Sequence, residues 1–468
     1  MSAHEDLMSL LSGARWFGGK GRQASVTGTR RLGVVPGDGP SVVIDLVQVE
    51  YADGGEPDLY QVPLSLYEHP QERLEHALVG VWEEPDFGRV HAYDALHDRE
   101  AMALWLHSFA AEPAPQGDLL FHRVPGHELD LEAHSTLFTG EQSNSSVRFG
   151  EDAVLKVFRK VTPGVNPDIS IHEVLTRAGS DHVAALYGWL DVVDAESDAV
   201  IQLAMLQQFL RTASDGWELA LASVRNLFAE GDLHPDEVGG DFAAEAARLG
   251  VALRETHEVL AENFPRLERT PEEMAELSAT MHRRLDEALA VVPELEAYVD
   301  LLRQTYDEVA GLRDVTVQQI HGDLHLGQTL RTVKGWKIVD FEGEPARPLA
   351  QRMLPDSVWR DVAGMLRSFD YAPRATAMTY PAGEGAEQRA YRAREWSARN
   401  RAAFLEAYHE GPVTGEDHVL LTAYTADKAV YEVLYEARNR PSWQGIPLAG
   451  LEQLAAHDLK PASNGETS

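Results

Sequence analysis

The sequence predicts a mixed α/β chain of α+β character, strand-rich over its first two hundred residues and mainly helical afterwards. Two patterns carry this reading. β-Rich runs bounded by Gly, Pro and Asp clusters recur as far as Leu206. Beyond Gln207, apolar residues recur at three- and four-residue spacing instead. Size agrees: 468 residues with 44% hydrophobic content supply an interior large enough for two or three domains. The expected divisions are residues 1–100, 101–207 and 208–468.

The elements follow in order. Ser41–Tyr51 and Leu59–Leu66 read as strands of the first unit. Glu112–Gly117 is a short connection. Ser135–Phe138, Ser145–Phe149 and Ala153–Phe158 are three further strands, Ile169–Ala178 a helix, and Ala199–Leu206 a buried strand. In the last unit, Phe242–Asn263 and Leu295–Leu312 carry helical periodicity. Thr270, Pro271 and Glu273 form a capping box with proline at the first helical position, so a helix starts there. Another covers Asp417–Arg438. Short strands are expected at Val315–Ile320 and Gly335–Phe341, and a frayed polar tail at Pro461–Ser468.

Composition removes several function classes. The chain has no cysteine, which excludes disulfide scaffolds, thiolate metal sites and cysteine nucleophiles. Its 41 basic and 75 acidic residues give a net charge of −34, a field that repels nucleic acids and anionic membranes. No run approaches the roughly 18 apolar residues of a membrane span, and the acidic start does not read as a leader. A soluble, cytoplasmic protein is expected. A phosphate ligand would need local cations or a metal.

The chemistry concentrates in His321–Gln328. Asp323 lies there on a loop between short strands, and Asp340 follows a second strand. Two acids at neighbouring strand ends can divide two tasks, one accepting a proton from a hydroxyl and the other holding a metal. Phosphoryl transfer needs both. Gln328 adds a neutral oxygen as a second metal ligand. His321 and Gly322 complete the set. The bland alternative is that each acid is an ordinary loop residue.

Upstream, the turn Thr139–Ser146, with Ser143, Asn144 and Ser145, can direct backbone N–H groups at phosphates. Lys156 lies inside an apolar strand and needs a partner. Glu173 on the following helix is the natural one, and such a pair positions lysine for the α- and β-phosphates of ATP. An edge-strand lysine reaching solvent is the alternative. A two-metal phosphoesterase is a competing reading of Gly322–His325. A second Gly-Asp-Leu-His copy, Gly231–His234, reads as a loop before a helix. No Gly-Asn-His segment occurs, and no Asp-x-His lies near the N-terminus to complete a metal cage.

With these residues assembled, the region from about 130 to 450 resembles the protein-kinase-like phosphotransferases that include aminoglycoside and choline kinases. More narrowly, the chain resembles the bacterial maltokinase family almost end to end. Ala14–Lys20, Gly140–Asn144, His321–Gln328, Asp340–Pro345, Arg360–Phe369 and Tyr431–Pro441 carry the resemblance. It implies a bilobal protein-kinase-like fold with an N-terminal cap and a mainly helical C-lobe. It also implies phosphorylation of maltose at its anomeric hydroxyl with ATP and Mg²⁺. Maltose would come from trehalose, the product would feed α-glucan (glycogen) synthesis, and trehalose synthase is a candidate partner.

By the same resemblance Asp323 is the base, with His321 beside it. Asp340 and Gln328 are metal ligands, and Lys156 and Glu173 the phosphate-positioning pair. Gln207 lies where adenine meets the hinge. Glu342 is a further metal or water contact. The family's relatives often carry Asn where Gln328 stands, so the ligating amide here has a longer arm.

Sugars are held by acid, amide and arginine groups around hydroxyls and by aromatic faces. Tyr424, Lys428, Tyr431 and Tyr435 lie along one helix face, with Glu432 and Arg438 on the same helix and Trp443 after it. His325 joins them as a substrate contact. Tyrosines packed in a core and a solvated charged face are the alternative. A kinase for another sugar or aminosugar such as glucosamine, or an inactive kinase-fold binding protein, remains a competing function.

Overall fold

The computed structural model describes residues 2–111, 118–138, 143–194, 198–211, 213–344, 347–381, 383 and 385–457. The expected connection Glu112–Gly117, the start of the phosphate turn at Thr139–Gln142, Pro345, and the tail Pro461–Ser468 lie outside the described residues. Two compact units are present: residues 1–176 with 184–211, and residues 177–183 with 212–468.

The first unit holds two antiparallel six-stranded sheets. The first sheet orders its strands Ala24–Val35, Ser41–Tyr51, Asp58–Tyr67, Gly88–Asp94 and Leu78–Glu84, and Lys160–Val161 pairs onto Asp58–Tyr67. Ser41–Tyr51 reads as a nearly unbroken apolar run because both its faces are covered. Val42, Ile44 and Leu46 point into one core, and Val43, Val47 and Val49 into another with Leu7, Leu11 and Phe17 of the N-terminal segment. The second sheet runs Leu119–Arg123, Leu186–Val193, Val200–Gln208, Ala153–Val157, Ser145–Phe149, Ser135–Leu137. Leu155, Val157, Ile201 and Leu203 enter the same core as Val42, Ile44 and Leu46, together with Trp105 and Phe109 of helix Arg99–Ala110. The expected 1–100 and 101–207 segments thus share one apolar interior.

The second unit is built of helices, among them Gly216–Ala229, Ala243–Asn263, Pro271–Leu289, Val299–Gly311, Trp359–Ala377, Ala386–His409 and Gly415–Asn439. The Pro271 helix starts as its sequence dictates: Thr270 Oγ1 accepts from Glu273 N (3.2 Å) and Glu273 Oε2 accepts from Thr270 N (2.7 Å). The expected helix over Leu295–Leu312 begins instead as a 3₁₀ turn, Pro293–Tyr298, and becomes α-helical at Val299. The expected strand Val315–Ile320 is short, Thr316–Val317, paired with Leu267–Glu268. From Gln318 the backbone turns to bond Asp356 instead, N–H to carbonyl in both directions (3.0 and 2.9 Å).

Residues 177–183 belong with the second unit for a specific reason. Ile338 N–H donates to the His182 carbonyl (2.7 Å), and the Lys337 ammonium donates to the carbonyls of Asp181 and Val183. No helix among the described residues is long and apolar enough to cross a membrane.

Candidate active site

The loop bearing Asp323 is held from below by one buried acid. Asp361, in the first turn of helix Trp359–Ala377, is 1% exposed. Its carboxylate accepts the backbone N–H groups of His321 and Gly322, each at 2.8 Å, and faces His257 Nε2 at 3.0 Å. Burial works to raise this carboxyl, but the His257 contact, the nearby His321 and the backbone donors outweigh it and hold it below the usual range. Gly364, one turn on, lets the helix touch the loop, since a Cβ there would collide with the Leu324 carbonyl. Ser368 Oγ accepts from Leu326 N–H (3.0 Å).

The sequence reading missed Asp361 as a working residue, although the segment Arg360–Phe369 is part of the resemblance. A carboxylate on an otherwise apolar helix face was the available signal.

Within the loop, Gly322 has φ +85°. His321 braces the turn: its Nε2–H donates to the Val339 carbonyl (3.0 Å) and its Nδ1 accepts from Asp323 N–H (3.3 Å). His325 Nδ1 accepts from Gly327 N–H (3.1 Å) and caps the turn Leu326–Gln328. Burial pushes the His325 ring below its ordinary value.

The strands Thr329–Thr332 and Gly335–Ile338 then form a hairpin that returns the chain to the loop. Val339 N–H donates to the Gln328 carbonyl (3.0 Å), and Gln328 Nε2 donates to Asp340 Oδ2 (3.0 Å). Asp340 adopts φ +67°, a strained choice for a residue with a Cβ. Asp340 and Glu342 bring carboxylate oxygens within 4.8 Å of each other. Two carboxylates make a hard oxygen donor pair, which fits Mg²⁺, whereas Gln328 turns its amide nitrogen to Asp340 and would have to present its oxygen to join them.

Lys428, on helix Gly415–Asn439, places Nζ 3.2 Å from Asp323 Oδ1. Burial favours its neutral form, yet Asp323, Glu432 and Glu344 outweigh that and raise it above the ordinary lysine value. Around these two residues opens a pocket of about 970 Å³, whose walls include His325, Tyr371, Tyr431, Glu432, Tyr435 and Trp443. The Tyr431 and Tyr435 rings stack with centroids 6.2 Å apart.

Two sequence expectations change on this wall, and one residue joins it. Tyr424 is 6% exposed, and its hydroxyl is committed to buried Asp356 (2.6 Å), which also binds Arg269 and Arg360. Arg438 is exposed and lies off the pocket lining; Arg440 takes its place, two residues on where the helix has ended, with its guanidinium 4.7 Å from the Trp443 ring centroid. Glu344, not singled out from sequence, lines the pocket and pairs with Arg360 (3.0 Å).

In the first unit, Lys156 meets an acid that the sequence reading passed over. Its Nζ lies 2.8 Å from Asp168 Oδ2, in the first turn of helix Pro167–Arg177, and His172 Nδ1 lies 3.1 Å from Asp168 Oδ1. Glu173, the expected partner, is half-buried further along this helix. Burial would raise the Asp168 carboxyl, but Lys156 and His172 hold it well below the usual range.

Ser143 is exposed, whereas Asn144 and Ser145 are buried. Ser145 Oγ accepts from Arg159 Nε (2.8 Å). The same guanidinium pairs with Asp94 (3.0 Å) and lies 4.7 Å from the Trp16 ring centroid. Gln207 continues strand Val200–Gln208, with its side-chain oxygen buried and without a hydrogen-bond partner among the described residues. The second Gly-Asp-Leu-His copy serves a surface contact: His234 Nδ1 lies 2.8 Å from Glu395.

Comparison with known proteins shows the family. Residues 11–98 match the family model described as the maltokinase N-terminal cap domain. A glucosamine kinase of Streptacidiphilus jiangxiensis is 32% identical over 337 residues, covering 68% of this chain and 73% of the relative. A glucosamine kinase of Mycolicibacterium smegmatis is 27% identical over 330 residues, covering 68% and 78%. Among solved structures, a glucosamine kinase in complex with glucosamine, ADP and inorganic phosphate superposes with a TM-score of 0.68 at 24% identity, over 95% of this chain and 98% of that one. The chain belongs to the sugar-kinase family that these glucosamine kinases share with the maltokinase cap, and it is a phosphotransferase of protein-kinase-like fold.

Proposed function

We propose that the chain transfers the γ-phosphoryl group of ATP to the anomeric hydroxyl of maltose, giving maltose 1-phosphate. The observation that carries this reading is the pocket: it starts at Asp323 and continues past Tyr431 and Tyr435 to Trp443, offering aromatic faces beyond the reacting end. A second sugar ring would use those faces. The match of residues 11–98 to a maltokinase cap supports the same substrate.

In this reading Asp323 accepts the proton of the attacking hydroxyl, as a base within hydrogen-bond reach. Lys156, paired with Asp168, holds ATP phosphates with the turn at Ser143–Ser145, and Gln207 adjoins the adenine. Gln328, Asp340 and Glu342 would hold Mg²⁺, which supplies charge neutralisation on the phosphates. Maltose arises by isomerisation of trehalose, the product enters α-glucan synthesis, and trehalose synthase is the partner.

Glucosamine is the second reading, favoured by the relatives and by acids in the pocket wall. The charge balance weakens it. Glu432 is paired with Arg367 (2.7 Å), Glu436 with Arg440 (2.6 Å) and Glu344 with Arg360 (3.0 Å). Asp215, which accepts from Glu218 N–H (3.0 Å), and Glu218, 4.0 Å from Arg225, are the wall acids that stay open to an ammonium. Carboxylates already compensated offer an incoming ammonium little net attraction.

ADP release measured with maltose, glucosamine and glucose separates the readings. Maltose should give a kcat/KM at least about tenfold above the others, the scale at which one pocket discriminates related ligands. Preference for glucosamine would establish the second reading. No turnover with any sugar would point to a kinase-fold binding protein.

A further inference from the structure

We propose that Lys428 is a catalytic residue that holds the transferring phosphoryl group, rather than a sugar contact alone. The proposal rests on the reading of Asp323 as the base.

A hydroxyl that gives its proton to Asp323 must lie about 2.6–3.2 Å from that carboxylate. The phosphorus it attacks is one bond further on. The Lys428 ammonium lies 3.2 Å from Asp323 Oδ1. Phosphoryl oxygens at the reacting position therefore fall within reach of the same ammonium.

Availability is the second point. Lys428 stands on the wall common to the large pocket and a smaller cavity of about 60 Å³ that also touches Asp323. Three other cations border the small cavity, and each is committed to an acid other than the base. Arg284 is bound to Asp427, while Arg347 and Arg360 are bound to Glu344. Lys428 is the cation whose ion pair is with the base itself.

The pair changes as the reaction proceeds. The sugar O–H bond breaks and its proton passes to Asp323. The sugar oxygen forms the new bond to phosphorus, and the bond from phosphorus to the bridging oxygen breaks, its electron pair leaving with ADP. Protonation removes the charge on Asp323 that held Lys428. The ammonium is then free to bind phosphoryl oxygens at the moment when their charge must be stabilised. An interaction that strengthens at the transition state raises kcat, whereas one made equally with bound substrate changes only KM.

The test uses the full-length chain with Lys428→Met and Lys428→Arg, assayed with ATP and maltose, or with whichever sugar of the panel turns over fastest. Lys428→Met should lower kcat about 100-fold or more, the scale of removing one preorganised transition-state donor. KM for the sugar should stay within about threefold, and Lys428→Arg should recover part of the loss. Binding of ADP with aluminium fluoride and sugar, followed by calorimetry, should weaken in Lys428→Met while ADP alone binds as in the wild type.

A raised sugar KM at unchanged kcat would overturn the proposal in favour of a sugar contact. Equal loss of ADP binding would overturn it in favour of a fold or nucleotide defect. The Asp323→Asn background separates catalysis from positioning. There, Lys428→Met should still weaken the aluminium fluoride complex; no further effect would show that Lys428 serves only to place Asp323. If Asp323→Asn alone keeps the wild-type rate, the base reading fails and takes this proposal with it. If Asp323→Asn is inactive but Lys428→Met is not, only this proposal fails.

Discussion

Asp361 touches no candidate substrate atom, yet it fixes where Asp323 can be. Two backbone N–H groups of the loop end on its carboxylate. Replacing it by Asn puts an amide donor against one of those N–H groups and leaves a buried polar group unpaired, a cost of about 1–3 kcal/mol. Asp361→Asn should therefore lower the urea midpoint and reduce kcat together. The pH dependence follows from the same group. Its folded-state pKa is depressed below the unfolded value, so its stabilisation is complete above about pH 4 and is lost as pH falls through the folded value. Asp356, depressed against burial by Arg360 and Arg269, behaves alike. Urea midpoints between pH 5 and 3 should fall more steeply for the wild type than for Asp361→Asn; equal slopes would remove Asp361 from the account. At this scale the sequence exposes Asp323, Gln328, Asp340 and Lys428, because a short segment or one helix face holds each. It hides Asp361 and Asp168, because the group each one serves lies on another element: the loop at His321 and Gly322 for Asp361, the strand Ala153–Val157 for Asp168.

Helix Trp359–Ala377 is the element that carries the loop, and Gly364 marks where they touch. Gly364→Ala would press a methyl group against the Leu324 carbonyl, and overpacking of this kind costs about 1–3 kcal/mol. The expected result is a lower melting temperature and a fall in kcat larger than any change in ATP affinity. Unchanged turnover would mean that the close approach is dispensable. Element boundaries were legible where local chemistry sets them. Thr270 and Glu273 close the capping box their spacing announces. Ser41–Tyr51 is a strand buried on both faces, as its apolar run indicates. Val315–Ile320 was overread because β-rich composition does not reveal that Gln318 bonds to Asp356 in place of a strand neighbour. Periodicity over Asp417–Arg438 locates the helix Gly415–Asn439 but favours Arg438 over Arg440, because it does not say where the last turn releases the chain.

For the whole molecule, the fold class was readable from the change of hydrophobic period near Gln207. The shared interior of the N-terminal segments was not. Leu32, Val42, Ile44 and Leu46 pack with Leu155, Val157 and Ile201, and Arg159 ties Asp94 to Ser145 across the same unit. The apolar pairings join residues more than a hundred positions apart, which no local pattern encodes. The net charge of −34 makes the local cations matter more. Lys156 and Lys428 each sit beside an acid, Asp168 at 2.8 Å and Asp323 at 3.2 Å. Function was legible as phosphoryl transfer; the choice of sugar was not, and no local pattern shows which pocket acids are paired.

The central claim is that Asp323 is the base of a sugar kinase. It is tested most directly by comparing the turnover and ATP binding of Asp323→Asn with those of the wild type. Turnover should fall about 100- to 10,000-fold, the range supplied by a positioned general base, while ATP affinity stays within about threefold. A variant that retains a near wild-type rate would contradict the account.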